Sequence, residues 1–363
     1  MSTILDQSRL SAARRMYATR RVDLSAAQLF LDEADLGERG LQSGDVAIAR
    51  VDRVGHHKKA ELTSGRRARL FAGDELIIAL GARYAPDQYE AAAPSRLGPC
   101  HMAAAGGVAG EITAIHDRII RPTGVTLLGL LGDRRGQPLN LADFAVTSQA
   151  SGRLPAILVA GTSMNAGKTT TAAGLIHGLA KAGRRVAALK ITGTGAGGDM
   201  WHYADAGAAL TLDFTDAGFA STYLQPIERL EAAALSLMGA AEDQACDIAV
   251  IEIADGLCQR ETAALLRRPT LRHVSPTVLF TAREAMGAAH GAAWLRGCGY
   301  DVAGLSGLLT RSPLAVREAM DAAEAPVYRL DDLQHPQCAS SLADRASAAL
   351  AEQPAPRVAL AVS

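Results

Sequence analysis

The spacing of apolar and polar residues changes character near residue 150. Before it, short apolar segments are cut by turn formers. Val46, Ile48 and Val51 lie among Asp45, Arg50 and Asp52, and Glu75–Leu80 is strand-like. Gly55, Ser64-Gly65, Gly73-Asp74 and Gly81 punctuate the runs. Short strands separated in this way predict a small antiparallel barrel or sandwich. Residues 86–150, interrupted by Pro94, Pro99, Gly106-Gly107, Pro122, Gly136 and Pro138, read as irregular β structure that completes the domain. Ser148–Pro155 reads as a linker.

After it, the rhythm is strand, loop, helix. Ala156–Ala160 (AILVA) is a continuous apolar strand of the kind buried on both faces of a parallel sheet. Ala172, Leu175, Ile176 and Leu179 then recur at helical spacing. Further strands are predicted at Arg185–Ile191, Asp247–Ala254, Thr277–Ala282, Asp301–Leu305 and Pro326–Leu330. Helices are predicted near 227–243, 260–267, 284–296 and 313–323. This alternation predicts an α/β fold with a doubly wound, mostly parallel sheet, preceded by the smaller β-rich domain. The expected division is an N-terminal arm or helix at 1–40, the β-rich domain at 41–150, the α/β domain at 151–335 and a tail at 336–363. That tail holds one helix around Ser341–Ala351 and then frays through Pro354 and Pro356.

Composition narrows the class. Of 363 residues 48% are hydrophobic and 21% charged, enough for a substantial core. The net charge of −1 argues against a whole-chain electrostatic role on nucleic acid or lipid, and with it against a DNA-partitioning ATPase. Residues 1–25 are locally basic (Arg9, Arg14, Arg15, Arg20 and Arg21 against Asp6 and Asp23), which fits a solvated or docking helix face. The five cysteines have no C-x-x-C pair, as expected of a reducing compartment. With no long apolar run and no signal-peptide pattern, a cytoplasmic protein is expected, with neither a membrane nor a nucleic-acid partner. His56-His57 and Cys100-His101 are poorly spaced for sharing a metal and read as ordinary residues of the β domain. Lysine is scarce, with only Lys58, Lys59, Lys168, Lys181 and Lys190.

Two of those lysines sit where chemistry is expected. Gly161-Thr-Ser-Met-Asn-Ala-Gly167-Lys168-Thr169-Thr170 lies between the first buried strand and its helix. In that context backbone N–H groups and the helix N-terminus cradle phosphates, the lysine reaches the β and γ oxygens, and Thr169 is placed for Mg²⁺. Gly161, Thr162, Asn165, Ala166, Gly167, Lys168, Thr169 and Thr170 are therefore the candidate nucleotide-binding residues. The usual pattern is G-x-x-x-x-G-K-[ST]; here the first glycine lies one residue earlier, with Thr162 in its place.

The spacing G-T-x-x-x-x-G-K-T resembles that of dethiobiotin synthetase and the related cobyrinic acid diamide synthase group of P-loop enzymes. Lys190-Ile191-Thr192-Gly193-Thr194-Gly195 is similar to their lysine and Thr-Gly element at the end of the next strand. The resemblance implies that Lys190 faces the substrate or the transferring phosphate. Val250-Ile251-Glu252-Ile253-Ala254-Asp255-Gly256 resembles their strand-end V-E-G-A-G-G and implies a metal and phosphate role for Glu252. Asp255 replaces a family glycine, which leaves Glu252 and Asp255 both open for the metal role. Asp199 matches a region where such enzymes hold an Mg²⁺-binding aspartate; its other reading is a helix N-cap. The resemblance covers about residues 156–330 and does not extend to 1–150. A looser, fold-level kinship is to P-loop proteins related to D-glutamate N-acetyltransferase, through Asp205-Ala206 and Asp213-Phe214.

Asp199, His202 and Asp205 would share a helical face at three-residue spacing, and Arg260 would follow the Glu252 strand at the crevice. His202, Asp255 and Arg260 are candidate substrate contacts, Arg260 for a carboxylate or phosphate; a surface salt bridge explains Arg260 equally well. The polar run Arg83–Glu90 reads either as a substrate wall or as an interdomain loop. The expected function is an ATP-dependent enzyme of ligase, synthetase or kinase type. It would use Mg²⁺ to phosphorylate a small-molecule carboxylate or carbamate, with Lys168, Lys190 and Glu252 as catalytic residues and Thr169, Glu252 and Asp199 at the metal. The resemblance adds a homodimer. The alternative is a nucleotide-gated switch or metallochaperone-like GTPase acting on a protein partner, with Gly193–Asp199 as the moving element. No N-K-x-D motif supports guanine reading; Gly307-Leu-Leu-Thr310-Arg311 lacks both Asn and Asp.

Overall fold

A computed structural model describes residues 3–353. The chain forms two compact units. The first runs to Thr147 and takes in Thr192–Trp201 and Asp213–Gln225. The second comprises Ser148–Ile191, His202–Leu212 and the chain from Pro226 onward.

In the first unit the strands are β1 (Thr3–Ile4), β2 (Arg14–Arg15), β3 (Leu29–Leu31), β4 (Val46–Arg53), β5 (Lys59–Glu61), β6 (Arg67–Arg69), β7 (Glu75–Leu80), β8 (Tyr89–Ala92), β9 (Gly98–Ala104), β10 (Val108–Ile115) and β11 (Gly124–Gly132). Two short helices, α1 (Gln7–Ala12) and α2 (Glu33–Leu36), precede β4. The pairings β4–β7, β7–β10, β10–β9, β9–β11 and β11–β4 return to their start, so five strands close a barrel. Closure removes the open sheet edges. All these pairs are antiparallel except β7–β10, which is parallel with Val108 opposite Ala79. The interrupted stretch from residue 86 is thus more regular than its prolines and glycines suggest, because they fall largely between strands.

The first 40 residues contain the helix α1 and also add strands to the barrel sheet. β2 pairs with β7, β3 with β11, and β1 with β3. Alternation along β4 sends Ala47, Ala49 and Val51 to one buried side, with Leu76, Ile78 and Leu80 of β7. Val46 and Ile48 face the other way, where Leu5, Leu10, Ala13 and Val22 cover them. A barrel strand apolar on both faces needs that second cover, and the N-terminal segment supplies it. Its basic residues are used in pairs, Arg9 with Glu75 at 2.8 Å and Arg14 with Asp74 at 3.0 Å.

In the second unit the strands are β12 (Ala156–Gly161), β13 (Val186–Lys190), β14 (Leu210–Asp213, whose last residue belongs to the first unit), β15 (Ile248–Glu252), β16 (Thr277–Thr281) and β17 (Asp301–Ser306). The helices are α3 (Lys168–Lys181), α4 (Gly198–Asp205, also divided between the units), α5 (Ile227–Asp243), α6 (Arg260–Leu266), α7 (Pro269–Val274), α8 (Ala285–Gly297), α9 (Pro313–Ala323), α10 (Leu330–Gln334) and α11 (Pro336–Ala351). The strand order is β14-β13-β15-β12-β16-β17. The pairs β12–β15, β12–β16, β13–β15 and β16–β17 are parallel. The chain leaves β12 through α3, crosses β15 to reach β13, and later places β16 on the opposite side of β12. Ligands bind at such a reversal, outside the carboxyl ends of the strands.

Two expected elements differ. Pro326–Leu330 is not a strand: only Val327 bridges Leu305, and α10 begins at Leu330. The helix expected around Ser341–Ala351 starts earlier, at Pro336. It is α11, where Ala339, Leu342, Ala343 and Ala346 are buried and Ala339 reaches Gly178 of α3. The expected fraying through Pro354 and Pro356 lies outside the described residues. Ser148–Pro155 is tied down as well, since the Ser151 amide donates to Glu242 Oε2 at 2.6 Å. Among the described residues no helix is long and apolar enough to cross a membrane, and all five cysteines are free thiols.

In the barrel unit, His57 Nε2 meets the Tyr89 hydroxyl and lies 3.4 Å from Arg83 Nη1. Burial, reinforced by the Arg83 charge, pulls the imidazole down to about 3. The folded state therefore holds His57 neutral while the unfolded chain protonates it near 6.5. This stability is fully present above pH 6.5 and is lost as the pH falls toward 3. Between pH 7 and pH 5 the wild type should lose about 2 kcal/mol more unfolding free energy than His57→Gln. Urea titrations at the two pH values measure this, and equal losses would refute it.

Candidate phosphate-binding site at the carboxyl edge of the sheet

The loop Gly161–Gly167 leaves β12, whose residues are all buried, and ends at α3. Gly167 caps the helix at φ 104°, a left-handed conformation open to glycine. No side chain caps α3. Its first N–H groups have no acceptor within the helix, so the positive end of the helix dipole faces the loop. Asn165 is also left-handed, at φ 61°, and its side chain is exposed; Ala166 is buried.

Three neighbouring segments hold this turn in shape. At the end of β16, the Thr281 carbonyl accepts from the Thr162 amide at 2.9 Å. After β17, the Leu308 amide donates to the Ala166 carbonyl at 3.0 Å. After β15, Gly256 lies so close that a Cβ there would stand 2.3 Å from the Thr162 carbonyl oxygen. The segment 307–311, read above for a base-recognition motif, is thus a support of the loop.

The Lys168 side chain is buried and curls back over the loop. Its ammonium donates to the Ser163 carbonyl at 2.9 Å and to the Asp255 carbonyl at 2.5 Å. Asp255 meets the lysine through its backbone carbonyl, and Thr262 Oγ1 accepts from the Asp255 amide at 3.1 Å. Thr169 is half-buried in the first turn of α3, and Thr170 is exposed.

Lys190 ends β13 directly opposite Glu252, the last residue of β15. Its Nζ donates to Glu252 Oε1 at 3.0 Å, with the carboxylate side chain 2% exposed. The other oxygen, Oε2, accepts from the hydroxyl of Tyr203, a buried residue of α4. Both lysines of the expected site are thus at the carboxyl edge of one sheet. Lys190 lies against Glu252, and Lys168 lies against the main chain three residues further on.

The remaining candidates are placed differently. Asp199 lies in the first turn of α4 and is grouped with the barrel unit, where its charge adds to that of Glu61. His202 is exposed, and with Asp205, His177 and Thr170 it lines an open groove of about 210 Å³ floored by Ala173 and Gly174 of α3. Arg260 is exposed at the start of α6, whose N-cap is Gln259. Among the described residues no three His, Cys, Asp or Glu side chains converge as a metal cluster. The donor set still fits Mg²⁺, which is commonly held by one or two carboxylates together with phosphate oxygens and water. Thr169 and Glu252 are the residues that would hold it. Tyr203 was not foreseen: a buried tyrosine in the polar segment around His202 carries no motif, and only the α4 position two residues after Trp201 hints at an inward face.

No protein-family model matches the sequence. No curated protein matches it either. Among solved structures, it is similar to the signal recognition particle receptor FtsY from Elizabethkingia anophelis, at 18% identity and a TM-score of 0.37 over 56% of this chain and 69% of that one. It is also similar to chloroplast FtsY from Physcomitrella patens (19%, TM-score 0.38, 53% and 65%). A third similar structure is the kinase domain of the Escherichia coli tyrosine kinase ETK (14%, TM-score 0.32, 42% and 66%). The chain spans just under two thirds of the latter two. In this chain the parallel strand order and the run of strand, loop and helix from β12 to α3 define an α/β fold.

Gly256→Ala should destabilise the protein by about 1–3 kcal/mol, because the added methyl meets a fixed carbonyl oxygen. Chemical denaturation with an unchanged m-value checks this; wild-type stability would show that the two loops are not in contact.

Proposed function

We propose that the protein is an enzyme that binds a nucleoside triphosphate with Mg²⁺ on Gly161–Thr170 and transfers its γ-phosphoryl group to a small acceptor. The observation that carries this reading is the uncapped N-terminus of α3 beneath a loop whose lysine folds back over it, with a second lysine on the same sheet edge. Backbone N–H groups and two ammonium groups suit a chain of phosphates, and phosphoryl transfer asks mainly for positioning and charge neutralisation. Lys168 would bind the β and γ oxygens. Lys190 would meet the charge that develops on the transferred group. Thr169 and Glu252 would hold Mg²⁺, which would supply Lewis-acid neutralisation of the phosphate charge.

The resemblance to dethiobiotin synthetase supports a carboxylate or carbamate as acceptor. Its oxygen would attack the γ phosphorus as the bond to the nucleoside diphosphate breaks, giving an acyl phosphate that a second nucleophile displaces with release of phosphate. The groove beside Thr170, with His177, His202 and Asp205, offers polar walls for such a molecule, and Arg260 and the Asp255 carboxylate remain candidates for its charged end. ATP is the preferred nucleotide, since the 307–311 segment carries no guanine-reading side chain. A homodimer belongs to the same reading.

Lys168→Ala should abolish nucleotide binding in calorimetry with magnesium and ATP. Persistent wild-type heat would remove the loop from the site. Lys190→Ala should lower kcat far more than it raises KM, and equal losses in binding and turnover would deny it a role in the transition state.

A further inference from the structure

No sequence motif marks Tyr203, yet its hydroxyl is one of the groups that hold Glu252. Glu252 Oε1 is held by an ammonium on a flexible stem, and Oε2 by a neutral phenol on a buried ring. These two ties differ in what a triphosphate does to them. An ammonium has three donors and is drawn toward any nearby phosphate. A phenol is neutral, and its ring is fixed by packing. Once Lys190 turns toward phosphate, the hydroxyl of Tyr203 is the contact that keeps a buried carboxylate satisfied, and losing it would expose the full desolvation cost of the charge.

We propose that Tyr203 is a positioning residue for Glu252, holding the carboxylate in place while Lys190 serves the phosphate. The proposal rests on the phosphate-site reading above. It also gives α4 a task. His202 and Asp205 on the same helix line the groove beside Thr170, so one hydroxyl holds that wall in register with Glu252.

The test is Tyr203→Phe, which removes the hydroxyl and keeps the ring. Calorimetry with ATP in EDTA and in magnesium separates the two contributions. Without magnesium the affinity should stay within about twofold of wild type, whereas the gain on adding magnesium should shrink by about tenfold or more, the usual effect of losing a partner of a metal ligand. In turnover, kcat should fall by a similar factor while KM for ATP changes little. The double variant Tyr203→Phe/Glu252→Gln should be no worse than Glu252→Gln alone, because both changes act through one carboxylate. Tyr203→Phe with the full magnesium gain, or losses that multiply in the double variant, would overturn the proposal. A wild type that gives no heat with ATP in either buffer refutes the phosphate site itself, whereas wild-type heat left unchanged in Tyr203→Phe refutes only this role of Tyr203.

Discussion

A carboxylate almost fully removed from water organises the candidate site. Isolated, the Glu252 charge would be strongly disfavoured inside a folded chain. Lys190 opposite it and Tyr203 above it provide one donor for each oxygen. Removing one member of such a buried pair commonly costs about 3–5 kcal/mol, because the other charge is left uncompensated. The ends of β13 and β15 are therefore tied by chemistry as well as by the sheet ladder. The same edge receives the loop after β12, so the cationic and anionic groups are gathered where the strand order reverses.

The loop after β12 depends on backbone shape more than on side chains. Its glycine cap supplies a left-handed turn, and its carbonyls are held by the amide of Leu308 and by the Lys168 ammonium. Neighbouring loops approach within contact distance through Gly256 and Gly307, where a side chain would push them away. The N-terminus of α3, left without a capping side chain, presents backbone N–H groups toward this loop, which is the feature the proposed phosphate site uses.

Buried carboxylates also determine which parts of the chain complete the barrel unit. Glu61 accepts from the Gly197 amide and from Trp201 Nε1, both at 2.8 Å, and so draws in the segment that follows β13. Arg20 bridges Asp213 and Asp216, and Tyr17 donates to Asp213 at 2.8 Å, which draws in the next segment. Desolvation, with Asp213 close by, raises Asp216 to about 6. The glycine-rich stretch 193–199, considered above as a moving element, is hydrogen-bonded into this unit at Gly193, Gly195 and Gly197.

Local pattern was enough for much of this protein. The apolar run of β12, the helical spacing of α3 and the glycine-lysine-threonine turn between them are short-range features, and each carries its own physical cause. The same holds for Glu252 and Lys190 as strand-end residues. Contacts between residues far apart in sequence left no such trace. The parallel β7–β10 pair within the expected barrel, the covering of β4 by the first 40 residues, the capture of 192–201 by Glu61 and the Tyr203–Glu252 bond all join residues separated by tens to more than a hundred positions. Periodicity reports which face of an element is apolar and not what will cover it. A buried polar side chain, likewise, is matched to its partner only when the chain has folded and water has been excluded from both.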